Sequence, residues 1–95
     1  MAAYAIGSIT AHNTDWQKEY GEKMPAVFAR HQGKVLAKSG AQKLEGDLQV
    51  GAMVVVVEFP TAEHAQAWYT DPEHEHLKQL RRTGADFDLI LVNGI

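Results

Sequence analysis

A chain of 95 residues has room for one domain and one core, so a single domain over residues 1–95 is expected. Nine Lys and Arg against twelve Asp and Glu give a formal net charge of −3 without a massed basic face, which argues against a nucleic-acid partner. Cysteine is absent, which removes disulfides, a thiol nucleophile and thiolate metal sites and suits a reducing interior.

The opening MAAYAIGSITAH lacks the basic and continuous apolar regions of a signal peptide. No apolar run approaches the roughly 18 residues of a membrane span. A cytoplasmic protein without a membrane partner is expected.

Tyr4 to Ala11 is rich in β-compatible residues and ends at His12, Asn13 and Thr14, which offer turn and capping chemistry, so a first strand is expected there. From Asp15 onward Trp16, Tyr20, Met24, Val27 and Phe28 recur at helical spacing and fall within an arc of about 120°, the stripe of an amphipathic helix. Pro25 inside it predicts a kink or a break, and Gly33 fits the position just past the helix end. Lys34, Leu36 and Lys38 then alternate with Val35, Ala37 and Ser39, which suits a short edge strand whose lysines discourage pairing with other chains. A glycine-punctuated connection follows, with room for an extension of the hairpin near Lys43 to Glu45.

Met53 to Phe59 reads as a strand and runs through Pro60 into a helix capped by Thr61 that carries Ala62, Ala65, Trp68 and Tyr69 on one face. Asp71 and Pro72 restart the helix, because a capping carboxylate followed by proline at the first helical position is a specific start signal. Leu77 and Leu80 continue the apolar face, and FDLILVNG supplies a last strand. The order β, α, β, β, α, β predicts an α+β, ferredoxin-like sandwich: a four-stranded antiparallel sheet with its helices on one face.

Such a sheet normally shows polar residues on its uncovered side. Here Met53, Val55, Val57 and Phe59 oppose Val54, Val56 and Glu58, and Phe87, Leu89 and Leu91 oppose Asp88, Ile90 and Val92, so two strands are largely apolar on both faces. Leaving Val54, Val56, Ile90 and Val92 in water would forgo about 6 kcal/mol, comparable with the whole stability of a small domain. The simplest cover is a second copy, sheet against sheet with two-fold symmetry, so a homodimer through that face is expected.

Trp16 and Tyr20, the Pro25 helix, Gly33, LEG at 44–46, VVEFP at 56–60, AWYTDPEH at 67–74 and LKQLR at 77–81 together resemble the bacterial domain-of-unknown-function family 1330 of the dimeric α/β-barrel superfamily. The resemblance spans nearly the whole chain. It implies a ferredoxin-like protomer and a face-to-face dimer, and no activity, because the family has none assigned. One position departs: an aromatic residue, usually tyrosine, is common in the family where His74 stands. The superfamily includes cofactor-independent oxygenases, haem-binding proteins, muconolactone isomerases and ligand-binding or regulatory modules, among which fold alone does not choose.

The residues allow two readings. A homodimeric binding module would hold a small apolar or aromatic molecule between helices and sheet, lined by Trp16, Tyr20, Trp68 and Tyr69, although aromatic stripes at this spacing usually build core. A small cofactor-independent oxygenase or isomerase would use Glu58 or His74 as proton acceptor, with Tyr20, Tyr69 or Arg81 orienting substrate. Glu58 shares a strand face with Val54 and Val56, where a salt bridge or an exposed strand end is the simpler role. His74 and Arg81, seven apart, lie on nearly one line at the border of the Leu77 and Leu80 stripe, where polar residues are usually wet. His74 and His76 invite a metal, but positions two apart on a helix point about 200° from each other, so no metal is expected. His31 reads as a helix-end histidine rather than a haem ligand, and no cofactor is expected.

Overall fold

The computed structural model describes residues 1–95. Its elements are β1 (Ala3–Ala11), α1 (Gln17–Arg30), β2 (Lys34–Ser39), β3 (Met53–Phe59), α2 (Ala62–Thr70), α3 (Pro72–Arg82) and β4 (Ala85–Asn93). The strands form one sheet in the order β2-β3-β1-β4 with every pair antiparallel, which is the expected ferredoxin-like arrangement. The sheet is open, with β2 and β4 as its edges.

Register sorts the side chains into two faces, because successive residues of a strand alternate. Ala5 lies opposite Val57 and Leu91, and Gly7 opposite Val55 and Leu89, on the face that the helices cover. Tyr4, Ile6 and Ser8 share the other face with Glu58, Val56 and Val54 on one side and with Val92, Ile90 and Asp88 on the other. Nothing in the protomer covers that face: Ile90 is 59% exposed and Val92 44%.

The helices start where capping chemistry starts them. The Thr61 hydroxyl accepts from the His64 amide at 3.2 Å, and the Asp71 carboxylate accepts from the Glu73 amide at 2.9 Å with Pro72 following. Met24, Val27, Val57, Phe59, Ala65, Trp68 and Leu77 build the core around Ala5. Trp68 sits at its centre, stacked on Phe28 and tilted against Phe59 with ring centroids 5.5 and 5.2 Å away.

Four local expectations need correction, the first only in part. Of the kink or break expected at Pro25, the break does not occur, since helix α1 runs on through it; the first turn of a helix has no use for its amide hydrogens, but Pro25 lies eight residues beyond Gln17, so the helix forgoes one bond there. The left-handed residue past α1 is Gln32, at φ 59°, and Gly33 comes one later, its amide donating to the Phe28 carbonyl at 2.8 Å. Gly33 is needed for closeness instead, since a Cβ there would meet Phe59 at 2.8 Å. The stretch from Lys43 to Glu45 forms no strand, and residues 40–50 are exposed. Finally, β2 does not alternate throughout: its register shifts between Val35 and Ala37, so Leu36 and Ala37 together face the step that Val56 makes alone. This bulge places Lys38 opposite Val55 on the helix-covered face, while Lys34 lies opposite Glu58 on the uncovered one.

No helix is long and apolar enough to cross a membrane.

Candidate functional site

The backbone of helix α1 comes nearest to α3 and α2, its Met24 and Val27 reach the sheet side chains of the core, and the strand beneath it carries small side chains. Ala5 and Gly7 floor a cavity of about 470 Å³ that opens between α1 and the sheet. Tyr20, Met24 and Phe28 of α1 form one wall, and Trp68 and Phe87 also line it. The ring of Phe87 reaches over Gly7, where a Cβ would stand 2.7 Å from it. Lys38, brought to this face by the bulge in β2, is the one charged residue in the lining. A second cleft of about 270 Å³ lies between α2 and β4 and shares Ala5, Trp68 and Leu89 with the first.

Of the aromatic residues singled out by sequence, Tyr20 and Trp68 line the larger cavity and Tyr69 the smaller. Trp16 lines neither: its indole donates to the Asn13 carbonyl at 2.9 Å, and its ring meets Tyr20 edge-on at 5.3 Å. Glu58 stands on the opposite side of the sheet, where the Tyr4 hydroxyl donates to it at 3.3 Å. The sheet therefore separates Glu58 from the cavity, and His74 and Glu58 do not meet.

Helix α3 turns a polar stripe inward. His74, Lys78 and Arg81 are all buried, at 0%, 2% and 4% exposure, on the same side as Leu77. His74 packs against Trp68 with the rings tilted by 31° and their centroids 4.4 Å apart, and its Nδ1 donates to the Trp68 carbonyl at 2.9 Å; Nε2 is buried without a partner. Burial pushes its pKa down to about 4, helped by the nearby Lys78 and Arg81 charges, so the ring is neutral at neutral pH. His76 points away, to Glu19 at 2.7 Å, and the pair holds no common centre.

Lys78 is fully satisfied: it donates to the Tyr69 carbonyl at 2.7 Å and to Glu75 at 2.6 Å, and its ammonium sits 3.5 Å over the Tyr69 ring. Arg81 is not. Its guanidinium lies 3.7 Å from the Phe87 ring and donates to the Tyr20 hydroxyl at 3.3 Å, but it joins none of the ion pairs and its Nε has no partner. Arg81 does not line the cavity itself; it backs two residues that do.

A separate cluster fixes the end of α1. Asp71 accepts two parallel bonds from Arg30, each of 3.0 Å, and one from His31 Nε2 at 2.7 Å. The His31 bond, the Glu73 amide and Arg30 together bring the Asp71 pKa down to about 2. His31 thus ties α1 to the start of α3.

The residues that sequence reasoning missed are Ala5, Gly7 and Lys38. Small residues at alternate positions of β1, Ala3, Ala5 and Gly7, were the available signal for a hollow above the central strand; Lys38 had none, because a bulge leaves no local mark.

A family profile described as "Domain of unknown function (DUF1330)" matches residues 2–95. A protein of unknown function from Rhodopseudomonas palustris superposes with a TM-score of 0.78 at 18% identity, covering 99% of this chain and 82% of that one. SnoaB, a cofactor-independent oxygenase from Streptomyces nogalater, superposes with a TM-score of 0.69 at 13% identity over 99% of this chain and 93% of its own. A dimeric ferredoxin-like protein of unknown function from Jannaschia gives 0.66 at 10% identity, covering 99% and 100%. At these identities the likeness is one of fold. No curated protein matches the chain.

Proposed function

This chain belongs to the domain-of-unknown-function family DUF1330, and from that premise we propose that it is a homodimeric module of one domain that binds a small apolar or aromatic molecule in each protomer. The observation that carries the binding half is the cavity of about 470 Å³, within the range of small-molecule sites and lined mainly by apolar side chains on regular elements. Tyr20 and Trp68 are its binding residues, with Tyr69 at the adjoining cleft and Arg81 behind Tyr20; Trp16 supports Tyr20 from outside.

The dimer half rests on the uncovered sheet face. Ile6, Val54, Val56, Ile90 and Val92 form one apolar surface there, flanked by Glu58 and Lys34, and a two-fold stack of two such sheets would bury it. Dimeric neighbours of the same fold lend support. Placement inside the cell, for which we favour the cytoplasm, draws on the absence of cysteine.

Native mass spectrometry of gently purified protein tests both halves in one spectrum. A dimer carrying additional mass is the expected result; a protomer alone would remove the assembly, and a dimer that takes up no apolar probe would remove the binding site.

A second reading, a cofactor-independent oxygenase or isomerase, is prompted by the activity of SnoaB, with Glu58 or His74 as base. It calls for turnover of an activated aromatic substrate that is lost in Glu58→Gln or His74→Ala while the dimer persists. The position of Glu58 across the sheet from the cavity, and the enclosure of His74 Nε2, weigh against it.

A further inference from the structure

We infer that the occupant of the cavity is an anion: an apolar or aromatic molecule bearing one carboxylate or enolate, bound by the Lys38 ammonium and the Tyr20 hydroxyl. The inference rests on the binding reading above and names the chemical class of its ligand.

Charge around the cavity is one-sided. Its lining contains no Asp and no Glu, and Lys38 is its only charged member. That lysine is there because of a local irregularity. Strict alternation along β2 would put Lys38 on the uncovered face with Lys34; the bulge at Leu36 and Ala37 puts it on the helix-covered side instead, where it lines the cavity while remaining solvent-exposed. Bulges that re-aim one side chain are a recurrent feature of binding sites.

A second positive charge lies behind the opposite wall. A buried guanidinium without a carboxylate is costly, because desolvation is not offset by an opposite charge. Arg81 is such a group, and the neighbouring Lys78, equally buried but fully paired, shows that α3 can supply a partner where one is needed. The positive field of Arg81 therefore reaches the cavity through Tyr20 and Phe87, the two lining residues it touches. Its bond to Tyr20 also has a direction. Arg81 donates to the phenol oxygen, which leaves the phenol hydrogen to be donated elsewhere. An oxyanion of a ligand would accept that hydrogen on one side and meet Lys38 on the other, with its apolar body against Met24, Phe28 and Trp68.

The test compares two probes of the same ring and nearly the same volume, 2-naphthoate and uncharged 2-naphthamide, titrated calorimetrically and by tryptophan fluorescence at neutral pH. Naphthoate is expected to bind about tenfold more tightly, the size of one charge-assisted contact. Lys38→Met, at an exposed edge position, should fold normally and bring naphthoate down to the naphthamide affinity, and Lys38→Arg should restore the preference. Equal binding of the two probes to the unmodified protein would overturn the anion assignment while leaving a binding cavity in place. A naphthoate preference that survives both Lys38→Met and Tyr20→Phe would place the anion elsewhere and overturn it as well. If amide chemical shifts and calorimetry detect neither probe, the binding reading fails and this inference goes with it.

Discussion

Protonation of His74 should make the protein unusually sensitive to mild acid. The ring is fully buried, donates through Nδ1 to the Trp68 carbonyl and has a pKa of about 4 against an ordinary 6.5. As pH falls through 6.5 the unfolded chain takes up a proton at this residue and the folded chain does not. Its contribution is therefore complete above pH 6.5 and is lost progressively between 6.5 and about 4. At about 1.4 kcal/mol per pH unit, that window removes about 3 kcal/mol, a large share of a small domain's stability. The comparison is His74→Leu, which cannot titrate. At pH 7.5 it should lose only about 1 kcal/mol, the worth of one hydrogen bond, since the Trp68 carbonyl keeps the Asp71 amide as donor at 3.3 Å. Urea unfolding followed by tryptophan fluorescence, at one fixed protein concentration because the proposed self-association would contribute to stability, gives stability against pH for both proteins. The two curves should converge or cross on acidification. Parallel curves from pH 7 to 4.5 would refute the placement of a neutral imidazole at this position.

Asp71 governs a lower window. Its folded pKa of about 2 lies below the ordinary 3.8, so its contribution is present above pH 3.8 and lost from there towards 2. Asp71→Asn, which keeps a cap for Glu73, should cost about 1 kcal/mol at pH 7 by thermal melting, allowing for screening of the half-exposed Arg30; an unchanged melting temperature would show the cluster to be energetically idle. Gly33→Ala should destabilise by about 1 to 3 kcal/mol, because the new methyl meets Phe59 at 2.8 Å and Phe28 at 3.1 Å, whereas Gln32→Gly, at φ 59°, should stabilise by about 1 kcal/mol. Reversed signs in a denaturation series would invalidate the reading of that turn. Ile90→Lys, on the uncovered face, should shift sedimentation towards the protomer with the fold retained by circular dichroism; a dimer that persists unweakened would exclude the sheet face as its interface.

Sequence patterning carried the architecture because its signals were local and redundant. Thr61 and Asp71–Pro72 start helices by rules that need no tertiary context, and the double-sided apolar pattern of β3 and β4 matches the register found. The site was less legible. His74 and Arg81 were assigned to a wet border because helical periodicity ranks residues by polarity; the neighbours α1, α2 and β4 decide burial, and they enclose this stripe. Lys78 was passed over for the same reason. Glu58 was correctly placed beside Val54 and Val56, but which side held the cavity depends on how far α1 stands from the sheet, a distance set by packing between helices. The turn after α1 misled through its glycine: closeness to Phe59, rather than backbone handedness, is what Gly33 satisfies.

The alternation of β1 has one more consequence. Ala5 and Gly7 face the cavity while Ile6, between them, faces the uncovered side, so floor and outer surface are consecutive residues of one strand. Side chains of stacked sheets fill a layer about 10 Å thick. In a face-to-face pair the two cavities would be divided by two such party walls and nothing else. If a guest pressed on the floor of one chamber, the strain would fall on that shared masonry, with no loop or hinge as messenger, and the second chamber would register that the first is tenanted.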